Sequence, residues 1–231
     1  MKNQKARAVI WDMDGVVADT ARQHFQSWQF AFGRQGYSFP EAVFKTVFGQ
    51  RNDTIIRLIM GSGTSLSRID QVARDKEEFF RAAVKTELQP FPGVIQLLKI
   101  LRQNSLRTAI ASSAPLENIQ AVLGGLKILD YFQALVYGLE VREGKPSPQI
   151  FQLAARKLGV SAGESVVIED AVAGVQAAKA GGMRCIAVTN THPPASLAAA
   201  DIIVDSLERI GLVELEALFD QKQAQDGLRQ N

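Results

Sequence analysis

Ala8-Val9-Ile10-Trp11-Asp12-Met13-Asp14-Gly15 sets a four-residue apolar run directly against two aspartates and a glycine. A run this short, apolar at every position instead of alternating, reads as a strand buried on both faces. The pattern returns at Thr108-Ala109-Ile110-Ala111, Ala134-Leu135-Val136-Tyr137, Ser165-Val166-Val167-Ile168, Cys185-Ile186-Ala187-Val188 and Ile202-Ile203-Val204. Helical patterns separate the later runs. Ile150, Phe151, Leu153, Ala154 and Leu158 recur at helical spacing, with Ser147 expected as N-cap, Pro148 at the first helical position and Gly159 closing the helix. Strand alternating with helix predicts an α/β fold on a parallel sheet.

From about Thr20 to Leu88 the alternation stops. No convincing strand falls there, but amphipathic helical patterns do, such as Ile69, Val72, Ala73, Lys76, Phe79, Phe80 and Ala83. The stretch reads as a helical cap over 19–88, inserted between core segments 1–18 and 89–231. Pro90-Phe91-Pro92-Gly93 marks the return to the core and starts a helix carrying Val94, Ile95, Leu97, Leu98 and Leu101. Gly181-Gly182 reads as a helix end and turn, and the polar tail from Gln221 to Asn231 is expected to fray.

The 231 residues suffice to bury a substantial core. With 46% hydrophobic residues, 22% charged residues and a net formal charge of +2, the composition is that of an ordinary globular protein, and nucleic acid is not the expected partner. No apolar run approaches the length of a membrane span, so no membrane partner is expected either. The single cysteine, Cys185, can form no intrachain disulfide and reads as a buried structural thiol, which suits a cytoplasmic protein. A monomer or weak dimer is the working expectation.

Ligand sites of parallel α/β sheets lie at the carboxyl ends of the strands. The polar residues there form a set: Asp12 and Asp14 after the first run, Ser112 and Ser113 after the second, Lys145 beyond the third, Glu169 and Asp170 after the fourth. Phosphoryl transfer needs a nucleophile, a proton donor and acceptor, a hard cation and fixed positive charge, and this set can supply each. Asp12 and Asp170 offer hard oxygens to magnesium, and Glu169 can orient waters around the ion. Asp12 can form an aspartyl phosphate, Asp14 can protonate the leaving oxygen and then activate water, and Ser112 with Lys145 can hold the phosphate. Asp-x-Asp alone more often signals a turn, Ser112 could merely cap the helix near Leu116, and Lys145 alone would be a solvated loop lysine. It is the four strand ends together that carry the reading.

This order of motifs resembles the haloacid dehalogenase superfamily, in its phosphatase and phosphomutase branch with a helical cap after the first motif. The matching residues are Asp12-Met13-Asp14-Gly15-Val16-Val17-Ala18-Asp19-Thr20, Ala111-Ser112-Ser113, Gly144-Lys145-Pro146, and Ile168-Glu169-Asp170 with Gly174 following. The resemblance implies a Rossmann-like doubly wound core with an inserted all-helical cap domain. It also implies magnesium bound by Asp12, the backbone carbonyl of Asp14, and Asp170. Members that cleave carbon–halogen bonds lack the second aspartate, so Asp14 points to a phosphate ester.

The chain is also similar to β-phosphoglucomutases, with His24, Trp28, Arg51 and Lys76 where those enzymes carry cap and hinge residues around the sugar phosphate. His24 and Trp28 share one helical face and could equally be core, and Arg51 and Lys76 could be ordinary surface charges. After Ser112-Ser113 the mutases continue with a serine and a lysine that grip a second phosphate, whereas this chain has Ala114-Pro115. A charge-assisted contact of about 1.5 to 3 kcal/mol is thereby missing. The expectation is a magnesium-dependent phosphatase of a small phosphorylated metabolite, a sugar phosphate. A phosphomutase is the first alternative and a catalytically silent binding protein the second. His192, next to Pro193-Pro194, reads as a loop residue.

Overall fold

Strand β1 (Ala8–Trp11) is completely buried and sits at the centre of the sheet. The computed structural model describes residues 7–85 and 88–227, with side chains described as far as Asp220. Among these residues β1 is joined by β2 (Arg107–Ala111), β3 (Ala134–Val136), β4 (Ser165–Glu169), β5 (Arg184–Val188) and β6 (Ile202–Val204). All neighbours pair in parallel, in the order β3-β2-β1-β4-β5-β6. The order reverses between β1 and β4, and a crevice opens at such a switch point.

Side chains alternate across the strands, so each face of the sheet has its own core. Val9, Trp11, Ile110, Val166, Ile168 and Ile186 pack toward α5 (Val94–Gln103), α6 (Leu116–Gly125) and α9 (Leu212–Gly227). Ala8, Ile10, Ala109, Val167 and Cys185 pack toward α7 (Gln149–Leu158) and α8 (Val172–Ala180). Cover on both faces explains why the strands read as unbroken apolar runs.

Helices α1 (Ala21–Gly33), α2 (Glu41–Val47), α3 (Asn52–Met60) and α4 (Leu66–Ala83) follow β1 with no strand among them. They enclose a separate cluster that includes Trp28, Phe32, Phe39, Phe44, Ile56 and Val72. Helix α4 reaches beyond it, because Phe80 belongs to the sheet's core, as does Val84 just past its end.

Three expectations about helix ends need correction or limits. Ser147 is not the N-cap of α7; its N–H donates to Gly144 O at 3.0 Å within a turn, and Pro148 occupies the cap position with no side-chain hydrogen bond. Gly159 does close that helix, in the left-handed conformation. The frayed tail is not seen before Gly227, because α9 continues that far, and residues 228–231 lie outside those described. No helix among the described residues is long and apolar enough to cross a membrane.

Candidate active site

Asp12 is the first residue beyond β1, and its N–H still reaches across to Ile168 O of β4 at 3.0 Å. The strand pairing therefore fixes its backbone at the switch point. Its carboxylate accepts a hydrogen bond from Lys145 Nζ, which also donates to Glu169 Oε1 at 2.5 Å. Glu169, the last residue of β4, turns its other oxygen to the N–H groups of Asp170 and Ala171, each at 2.9 Å. Asp170 accepts from Thr191 Oγ1 at 2.5 Å. Asp12, Glu169 and Asp170 are all buried and each offers an oxygen within 4.8 Å of the others.

Glycine makes this crowding possible at two points. A Cβ on Gly174, in the first turn of α8, would lie 1.8 Å from Glu169 Oε1. Gly15 has φ +83°, where other residues are strained, and a Cβ there would lie 2.0 Å from Asp170 Oδ2.

The electrostatics are those of a site short of positive charge. Burial lifts the Asp12 carboxyl to about 7, and the charges of Glu169 and Asp14 add to the lift against the pull of Lys145. Burial, then Glu169 and Asp12, push Asp170 well above the usual carboxylate range. Lys145 is held above its ordinary value because Asp12 and Glu169 outweigh the opposing effect of burial. One ammonium among three buried carboxylates leaves a charge deficit that a divalent cation with oxygen ligands would fill. The donor set thus fits magnesium.

Asp14 stands apart from that group. Its carboxylate accepts from Thr20 Oγ1 at 2.5 Å and pairs with His24 Nε2 at 3.1 Å. Burial alone would raise its pKa, but His24, Thr20 and Lys76 together bring it below the ordinary value. His24 is lowered in turn by burial and by Lys76, more than Asp14 raises it, so near neutral pH the imidazole is neutral and gives its Nε2 proton to Asp14. The Asp14 carboxylate is thus committed to Thr20 and His24, and the metal-binding group of Asp12, Glu169 and Asp170 does not include it.

A cavity of about 520 Å3 joins these residues, lined by Asp12, Asp14, Lys145, Glu169 and Asp170 together with Ser112, Ser113 and Arg51. Ser112 follows β2; its N–H donates to Val136 O at 3.1 Å, and its Oγ accepts from Ala114 N–H at 3.1 Å, leaving its own proton to be given. Pro115, not Ser112, holds the cap position of α6. Arg51 comes from the segment before α3, close against Gly144, with its Nε 3.3 Å from Asp53.

His24, Trp28 and Lys76 are gathered elsewhere, around a smaller adjoining cavity of about 50 Å3. His24 stacks on Phe80 at 3.9 Å, and Trp28, 2% exposed, stacks on Phe32 at 5.0 Å. Lys76 is 3% exposed and donates to Glu77 Oε1 at 2.8 Å, so it is not a surface charge.

Sequence reasoning passed over Glu77, Asn190 and Thr191, and quoted Thr20 as the end of the first motif without giving it a role. Asn190 donates to Gly15 O at 2.7 Å, and Thr191 holds Asp170, so the loop after β5 clasps the loop after β1. His192 is in a loop as expected, but its Nδ1 lies 3.2 Å from Asp170 O and it lines the larger cavity. The one available signal was the run of polar residues after the fifth apolar run, a strand end like the other four.

A family model for haloacid dehalogenase-like hydrolases matches residues 6–182. The chain is similar to the β-phosphoglucomutase of Bacillus subtilis, 29% identical over 229 residues that cover 96% of this chain and 99% of the relative. It is also similar to the chloroplastic 5-amino-6-(5-phospho-D-ribitylamino)uracil phosphatase of Arabidopsis thaliana, 28% identical over 213 residues. That match covers 91% of this chain, which spans only 57% of the plant protein's length. Among solved structures, CbbY of Rhodobacter sphaeroides in complex with phosphate superposes with a TM-score of 0.84 at 26% identity, covering 91% of this chain and 99% of that one.

Proposed function

Because the chain belongs to the haloacid dehalogenase-like hydrolases, we propose that it is a magnesium-dependent phosphatase of a small phosphorylated metabolite, a sugar phosphate, working through an aspartyl phosphate on Asp12. The observation that carries this reading is the buried group of Asp12, Glu169 and Asp170 around Lys145, opening on a cavity that Ser112 and Arg51 also line. The elements suggest a division of labour: a core of 1–18 and 89–231 supplies the chemistry, and a cap of 19–88 encloses the substrate. The lone buried Cys185 fits a cytoplasmic setting.

Asp12 attacks phosphorus, a bond forms between its carboxylate and the phosphoryl group, and the ester oxygen departs with the bonding pair. Lys145 and Ser112 hold the phosphoryl oxygens through the transfer. Asp12, Asp170 and the Asp14 carbonyl would hold the magnesium, which when bound would supply positive charge to offset the carboxylates and the substrate phosphate. Asp14 gives a proton to the leaving oxygen, then takes one from the water that attacks the aspartyl phosphate, and inorganic phosphate leaves Asp12 free. As hydrogen-bonded here, Asp14 is ionised and ready as the base. To serve as the acid it must first shed Thr20 and His24 and take up a proton.

A second reading, a phosphomutase, is favoured by the likeness to β-phosphoglucomutase along nearly the whole of both chains. Against it, Ala114-Pro115 provides no charged group for a second phosphate. Incubation with β-glucose 1-phosphate and magnesium separates the two. Release of inorganic phosphate supports the phosphatase, and conversion to glucose 6-phosphate without release supports the mutase. Asp12→Asn should abolish both turnover and covalent capture of phosphate; full residual activity would remove Asp12 as the nucleophile.

A further inference from the structure

The smaller cavity adjoins the larger one, and Asp14, Phe48, Gly49, Gln50 and Ser113 stand in the walls of both. A substrate whose phosphate lies beside Asp12 can extend its other end past this shared wall. Two described side chains around the smaller cavity can carry positive charge, Lys76 and His24, and neither is available to an anion. His24 is committed to Asp14. Lys76 donates to Glu77, and its Nζ lies 5.3 Å and 5.2 Å from the ring centroids of Trp28 and Phe80.

Glu77 is itself pinned. Besides Lys76 it accepts from Asn52 Nδ2 of α3 at 2.7 Å and from Asn118 Nδ2 of α6, and Asn118 accepts from Arg81 Nη1 at 3.2 Å. The carboxylate therefore cannot swing away to free Lys76 without leaving two amides unpaired. Trp28, Phe44, Phe48 and Pro115 form the apolar part of the wall, and proline brings no N–H donor.

Resting on the phosphatase reading, we infer that the smaller cavity selects phosphate monoesters whose far end is small and uncharged, and that Glu77 sets this selection by neutralising Lys76. A carboxylate or second phosphate entering here would be desolvated with no free cation to meet it, and would face Glu77. A hydroxymethyl group can exchange hydrogen bonds with Ser113 or Asn52 and lay its carbon on the rings.

Sorbitol 6-phosphate and 6-phosphogluconate are open-chain esters that differ at the far carbon, hydroxymethyl against carboxylate. Their inhibition constants would be measured against whichever phosphate ester the protein turns over. For the native chain, sorbitol 6-phosphate should bind more tightly by at least about tenfold. Glu77→Gln, which leaves the Lys76 ammonium unpaired, should narrow or invert that ratio by about tenfold. Lys76→Met combined with Glu77→Gln makes the pocket neutral again and should restore the preference, which a merely structural role for the pair would not do. Equal constants for the native chain, or no inhibition by either compound, overturn the proposal, and this comparison needs no variant to fold. An unchanged ratio in folded Glu77→Gln overturns the role of Glu77. If no phosphate ester is turned over at all, the phosphatase reading itself falls, a failure distinct from these.

Discussion

Asp12 carries a carboxyl whose pKa rises from 3.8 to about 7 on folding, so the folded state binds its proton more tightly than the unfolded chain. Raised carboxyl pKa values cost stability as pH climbs between the two values, here from about 4 to about 7. His24, lowered by burial, works the other way as pH falls, so total stability mixes both. Comparing metal-free wild type with Asp12→Asn removes the Asp12 part together with the share of the Asp170 rise that Asp12 causes, which has the same sign. The difference in unfolding free energy should shift in favour of the Asn variant as pH rises through that window, and magnesium should reverse it by binding the wild type more tightly. A pH-independent difference would contradict the assigned environment. Thr191 makes a second case, since its hydroxyl holds Asp170 from a loop 21 residues downstream. Thr191→Val should weaken magnesium binding about tenfold or more, as loss of such supporting hydrogen bonds does, and Thr191→Ser should keep it. Titration calorimetry reads the affinity without relying on turnover, and an unchanged affinity in Thr191→Val would show that Asp170 needs no such support. Neither Thr191 nor Glu77 was legible in the sequence, because each is defined by a partner on another element: Asp170 for the one, Asn52 and Asn118 for the other.

At the scale of elements, legibility followed the physics of each one. The strands could be read because burial on both faces demands unbroken apolar runs, and all six expected runs became strands. Strand ends could be read for the same reason: the first polar residue after such a run stands at the edge of the sheet where ligands bind. Helix starts were harder. Ser147 had the residue type of an N-cap, but Pro148 took the position and the helix began one residue later. Packing between α8 and β4 was hidden too, because Gly174 reveals its purpose only when Glu169 is seen against it. Gly174→Ala places a methyl group on that carboxylate, which must turn away and release Lys145 or the two N–H groups it accepts from. Turnover should fall at least about a hundredfold, while stability falls by about 1–3 kcal/mol, the usual cost of overpacking. Urea unfolding beside initial rates measures both. A variant with native turnover would show that Glu169 has freedom the packing denies it.

At the scale of the molecule, the question is whether the helical segment and the sheet behave as one body. Each has its own hydrophobic cluster, but α4 belongs to both: Ile69 and Val72 lie in the helical cluster, Phe80 in the sheet's core. Near its end, Glu77 and Arg81 are tied to Asn118 of α6. A helix shared by two cores transmits the loss of either one to the other, which predicts a single cooperative transition. The two tryptophans provide the means to see it, because Trp11 lies in β1 and Trp28 in α1. Trp11→Phe leaves a reporter among the helices and Trp28→Phe leaves one in the sheet. Their urea midpoints, each corrected for the variant's own stability by circular dichroism, should coincide with the loss of overall helicity. Asn118→Ala removes a donor from Glu77 and the acceptor of Arg81, at about 1–3 kcal/mol for the buried groups left unpaired. In that background the Trp28 signal should move to lower urea than the Trp11 signal, because the tie is lost while both hydrophobic clusters remain. Separate transitions in the wild-type background would mean that α4 does not couple the two bodies, and the segment 19–88 would then open and unfold on its own.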